Sequence, residues 1–76
     1  MMQIMYGNNE KRFTRAVDEN KTPVEILAES NLTFAPSGIE LNGVRLTTEE
    51  ANTPLKNLDG ATDGSILMYN KKNDNG

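Results

Sequence analysis

The chain has neither cysteine nor histidine among its 76 residues. The first absence excludes disulfides and thiolate-ligated metals. The second removes the commonest general base and the usual transition-metal ligand. A Ser or Thr nucleophile would need a lysine or carboxylate base beside it, and no spacing suggests such a pair. Enzymatic activity, a cofactor and a metal site are therefore not expected. No apolar run approaches the roughly 20 residues of a membrane span. The first residues lack the charged and apolar regions of a secretory signal. The expectations are a soluble chain, a cytoplasmic location and no membrane partner. Eight basic residues against 11 acidic ones leave a net charge of −3, which argues against broad phosphate-backbone binding. There is no internal repeat and no domain boundary. One small domain is implied, near the lower size limit for a single apolar core.

What the chain does have is Ile39-Glu40-Leu41-Asn42-Gly43-Val44-Arg45-Leu46. An Asn-Gly pair between alternating apolar residues signals a hairpin with a type I′ turn. In that register Leu41 faces Val44 and Ile39 faces Leu46, with all four on one face. Glu40 then stands opposite Arg45 on the other face, a cross-strand ion pair.

Before the hairpin, residues 2–6 read as a first strand, with Met2, Ile4 and Tyr6 on one side and Gln3 and Met5 on the other. Residues 7–10 supply a turn and residues 11–17 return antiparallel, with Phe13 and Val17 inward. That parity puts Arg15 among apolar neighbours, so either Arg15 snorkels at an edge or a bulge shifts the register. Thr22-Pro23-Val24-Glu25 is a capping box with proline at the first helical position. A helix of about two turns follows, and Asn31 is placed to stop it. Leu32 and Phe34 should reach the core from an irregular connector that includes Thr33, and residues 36–38 turn into the hairpin. After it, Thr47 and Glu50 form a second capping box. Thr53-Pro54 repeats the helix-start pattern, with Leu55 and Leu58 as anchors. Asp59-Gly60 and Asp63-Gly64 are turn pairs. Residues 65–70 form the last strand, whose run Ile66-Leu67-Met68-Tyr69 is apolar on both faces. The domain is expected over residues 1–70, and residues 71–76 form a flexible polar tail.

Strand, turn, strand, capped helix, hairpin, short helix and final strand is an order that resembles the ubiquitin-like β-grasp proteins. The resemblance rests on Met2-Gln3-Ile4, on Val17 followed by Thr22, on residues 39–46, on residues 53–58 and on residues 65–69. It extends to the small sulfur-carrier proteins of thiamin and molybdopterin synthesis, which share the Leu-Asn-Gly hairpin. It implies an α+β fold: a mixed four- to five-stranded sheet packed on one short helix. The family's conjugated and sulfur-carrying members end in Gly-Gly, whereas this chain ends Asn73-Asp74-Asn75-Gly76. The surface by which ubiquitin is recognised corresponds here in part to Glu40, Ala61 and Met68. An acid replaces its central apolar residue, so recognition by ubiquitin-binding proteins is not expected.

In the family's facing, Leu67 and Tyr69 point to the core and Ile66 and Met68 to the outer sheet face, beside Met5. A patch of Met5, Ile66 and Met68, ringed by Glu40 and Arg45, is the leading candidate for binding a protein partner. The expected function is thus a non-catalytic protein-interaction module. The alternative is a carrier or modifier activated at the Gly76 carboxylate. The first and last strands of a β-grasp sheet run parallel, so Lys71 and Lys72 should approach Lys11 and Arg12. That basic corner suits an acidic partner, although without an aromatic platform nucleic acid is not expected. Asn57, Asp59 and Asp63 resemble a calcium loop only faintly, since they lack its alternating ligands and terminal Glu.

Overall fold

The computed structural model describes residues 1–32 and 34–69. Five strands, β1 (Met2–Asn8), β2 (Arg12–Val17), β3 (Ile39–Leu41), β4 (Val44–Arg45) and β5 (Ser65–Tyr69), form one mixed sheet in the order β2-β1-β5-β3-β4. Two helices, α1 (Pro23–Glu29) and α2 (Thr48–Ala51), and 3-10 turns at Pro36–Gly38 and Leu55–Asn57 complete it. The central pair β1 and β5 is parallel, and every other pairing is antiparallel. This is an α+β domain of ubiquitin-like topology.

The β3–β4 hairpin has the expected register, Glu40 opposite Arg45 and Leu41 opposite Val44. Asn42 and Gly43 take φ of 53° and 86°, as a type I′ turn demands. Ile39, Leu41 and Leu46 are buried, but Val44 is 67% exposed. It stands next to the turn on a two-residue edge strand and does not join the core.

Helix α1 starts as its sequence requires. The Thr22 hydroxyl accepts the Glu25 N–H at 3.1 Å, and the Glu25 carboxylate accepts the Thr22 N–H at 2.9 Å. It ends in a Schellman arrangement: Asn31 at φ 58°, the Leu32 N–H donating to the Leu27 carbonyl and the Asn31 N–H to that of Ala28. Seven residues fall below the roughly 12–15 at which an isolated helix becomes marginal, so packing must hold it. Ile26 and Leu27 supply that packing, buried in one apolar cluster with Ile4, Tyr6, Ile39 and Leu67 of the sheet. Fully burying side chains such as Leu27, Ile39 and Leu67 stabilises by roughly 1.5–3 kcal/mol each. Leu32 belongs to the same core and Phe34 packs against it.

Two local expectations are corrected, and the alternative left open at Arg15 is resolved. Strand β1 continues through Gly7 and Asn8, and the turn moves to residues 8–11, where the Asn8 side chain accepts the N–H groups of Glu10 and Lys11. Gly7 pairs with Arg12, and the backbones approach so closely that a Cβ there would meet the Lys11 carbonyl and lie 2.8 Å from the Arg12 Cα. Register β1–β2 is unbroken, so no bulge accommodates Arg15. β2 is an edge strand, and Arg15 remains exposed with its guanidinium 4.8 Å above the Phe13 ring. The Thr47 capping box does open α2, but Thr53 caps nothing, because its hydroxyl donates to the Glu49 carbonyl at 2.8 Å. Pro54 instead precedes a 3-10 turn whose Leu55 is fully buried. Asn70, the expected end of the last strand, lies outside the described residues.

Candidate interaction surface

Strand parity decides which side chains look away from α1. On β1 the inward set is Ile4 and Tyr6, both buried, so Gln3, Met5 and Gly7 belong to the outer face. On β5, Leu67 is fully buried and Tyr69 packs against the core, leaving Ile66 and Met68 outward. Parallel pairing sets Met5 beside Ile66 and Gly7 beside Met68. The β3–β5 register then sets Met68 beside Glu40, and the hairpin sets Glu40 beside Arg45. Met5, Ile66 and Met68 therefore occupy adjacent places on the two central strands, with Glu40 and Arg45 on one flank. Ile66 is 40% exposed, and Met5 and Met68 are half-buried. Arg12 and Thr14 of β2, opposite Gly7 and Met5, form the other flank.

Glycine at position 7 has a consequence for this face. Between Arg12 and Met68 there is no side chain, so the patch is stepped: Met68 stands across a bare backbone position from Arg12. Beside Met5, an open concavity of about 640 Å³ has Thr14 and Ala16 of β2 along it, with Met1, Gln3 and Asp63 around it. Sequence reading did not find it. Two small side chains on β2 were its only trace, and Asp63 reaches it through tertiary folding.

Asp63 and Asn42 have roles at the rim. The Asp63 carboxylate accepts the Gln3 N–H at 2.9 Å, and the Gly64 N–H donates to the Gln3 carbonyl at 2.7 Å, tying the loop before β5 to β1. Asn42 clasps the other side. Its side chain accepts the Ile66 N–H at 2.9 Å and donates to the Gly60 carbonyl and the Ser65 hydroxyl, at 3.1 and 3.3 Å. Ser65, only 3% exposed, also accepts the Thr62 N–H at 2.9 Å. The start of β5 is thus fixed from both neighbouring strands, which orients Ile66. Asn42 was legible as a turn residue, but its partners lie 18 to 24 positions away.

Of the residues expected at the basic corner, the described ones are Lys11 and Arg12. Lys11 and Arg12 are exposed at the β1–β2 turn, and pairing of Asn8 with Tyr69 brings the end of β5 alongside. Arg15 has the opposite parity and lies over Phe13. Lys71, Lys72 and Gly76, with the rest of the tail 71–76, lie outside the described residues. Lys21, remote from the sheet face, contacts the Glu29 carboxylate at 2.6 and 2.7 Å, and that bond raises its pKa above the ordinary 10.5. Among the described residues no cluster of three or more Asp or Glu could hold a metal ion, and no helix is long and apolar enough to cross a membrane.

No protein-family model matches the chain, and no curated protein or solved structure matches it either. The ubiquitin-like character of the fold rests on strand order, register and helix position.

Proposed function

We propose that the domain is a non-catalytic interaction module that binds a protein partner through the outer sheet face. Met5, Ile66 and Met68 make the apolar contact, and Glu40 and Arg45 form its polar flank. The observation that carries this reading is the pairing of Met5 with Ile66 on adjacent central strands, with Met68 next along. Three flexible or exposed apolar side chains at one place suit a partner that offers an apolar segment, since methionine adapts its shape to such contacts. A flank carrying both charge signs adds orientation and selectivity more than affinity.

Met68→Asp is the direct perturbation. It puts a carboxylate beside Glu40, which repels an apolar partner and leaves the core untouched. Val44→Asp is the control, because Val44 is also exposed and apolar but sits at the hairpin rim. Proteins enriched from cell extract by the wild type and by Val44→Asp, and lost with Met68→Asp, are the expected result. Unchanged circular dichroism would show that all three are folded. The same proteins captured equally by a folded Met68→Asp variant would refute the assignment.

A further inference from the structure

We propose that two copies of this chain associate through β2, antiparallel, about a two-fold axis at Thr14. The sheet has two edges of different character. β4 has two residues, whereas β2 has six and, among the described residues, pairs only with β1.

The free polar groups of β2 can be assigned from the ladder. The Asn8 N–H donates to the Lys11 carbonyl, which makes 8 and 11 a hydrogen-bonded pair. Alternation along an antiparallel ladder then directs Phe13, Arg15 and Val17 toward β1. Gln3 supplies an independent check: both its N–H and its carbonyl bond the Asp63–Gly64 segment, so neither is available to Ala16 opposite. The N–H and carbonyl groups of Arg12, Thr14 and Ala16 therefore point away from the sheet. A second β2 placed antiparallel with Thr14 opposite Thr14 would engage all three residues of each copy, up to about six backbone hydrogen bonds.

The side chains of β2 complement one another in this register. Phe13 faces the second copy's Arg15 in a non-hydrogen-bonded pair, where side chains approach most closely. The contact repeats between copies the cation–π pairing that Arg15 and Phe13 already make within one. On the outer face, the second copy's Arg12 stands opposite Ala16. That is the side of the concavity shared by Ala16, Gln3 and Asp63, so a small side chain leaves room for a long cation and a carboxylate lies within the same hollow. Shifting the register by two residues either way sets Arg15 against its own copy or against Lys11. Like charges directly opposite are destabilising, so β2 selects one alignment. An edge strand bearing two arginines is ordinarily guarded against association; here each arginine has a receiver on the second copy.

The proposal is carried by the β2 backbone and side chains and not by partner binding at the outer face: Ile66 and Met68 lie two strands from β2, and Met5 is the one patch residue beside it. It is tested by sedimentation equilibrium of the whole chain over a concentration series reaching about 1 mM, a range that detects even millimolar dissociation constants. Amide hydrogen exchange is followed on the same samples. A concentration-dependent dimer is expected, in which exchange at Arg12, Thr14 and Ala16 slows in step with the dimeric fraction, about twofold where half the chains are paired and about tenfold where nine-tenths are, while that at Phe13 and Arg15 is unchanged. Thr14→Pro removes the donor at the axis where β1 does not need it, and Ala16→Arg sets arginine against arginine. Both should be folded and monomeric. A monomer throughout, a dimer without protection of the β2 amides, or dimers that survive both substitutions would overturn it.

Discussion

Replacing Asn42 by glycine isolates what its side chain contributes. Glycine accepts the φ of 53° found there, and the backbone bond from the position 42 N–H to the Ile66 carbonyl, 2.7 Å, is retained. What is lost is the acceptor for the Ile66 N–H and the two donations to Gly60 and Ser65. Intramolecular hydrogen bonds contribute about 0.5–1.5 kcal/mol each, and the two longer ones belong at the low end of that range. Ser65 keeps the Thr62 N–H, and water can reach the Gly60 carbonyl, so the total should be about 1.5–3 kcal/mol by the same scale. For a domain of this size each kcal/mol lowers Tm by about 4–8 °C. Asn42→Ala should be worse by about 1 kcal/mol, because a Cβ without a compensating side chain is strained in the left-handed region. Urea unfolding followed by circular dichroism reads all three proteins with a common m-value. A glycine variant within about 0.5 kcal/mol of the wild type, the usual span of inconsequential surface changes, would refute the clasp.

Gly38→Ala should destabilise by about 1–3 kcal/mol, the usual cost of overpacking. The new Cβ would meet the Tyr69 ring, 2.9 Å from Cδ1 and closer to Cε1, and a thermal melt would show a lowered Tm. Lys21→Met tests the pH dependence. A lysine pKa raised in the folded state contributes stability that is fully present below the ordinary 10.5 and is lost as pH rises through the folded value. The stability gap between wild type and variant should therefore stay constant from neutral pH to about 10 and close above it, as read by urea midpoints; a gap that widened above pH 10.5 would have the wrong sign. Thr22→Ala removes the hydroxyl that caps α1 and should cost about 1 kcal/mol in the same assay.

How much of this was legible depended on the range of the determining contact. The register and turn of the hairpin, both capping boxes and the Asn31 stop are specified by residues within about six positions and formed as read, whereas the exposure of Val44 did not follow from alternation. The orientation of β5 followed from the β-grasp resemblance, and with it the placing of Met5, Ile66 and Met68 together. Arg15 could not be assigned from the sequence, because alternation gives its face but not whether its strand has one neighbour or two. Gly7 looked like a turn residue, yet the demand for glycine arises from the close approach of Lys11 and Arg12 across the ladder. Thr53-Pro54 carried the same letters as Thr22-Pro23, but without Glu at the position that closed the first box, and Thr53 turned back to Glu49. The concavity beside Met5 depends on Asp63 meeting β1 across 60 positions, which no local pattern encodes.

The central claim requires an outer face that is open to a partner. Methyl relaxation in the presence of a soluble, uncharged paramagnetic agent measures that opening directly, residue by residue. The account predicts strong enhancement at the Ile66 methyls, comparable with those of exposed Val44, intermediate enhancement at Met5 and Met68, and none at Ile4 or Leu67. Methyls of Ile66 and Met68 as protected as those of Leu67 would contradict it, because the chain itself would then cover the face assigned to the partner.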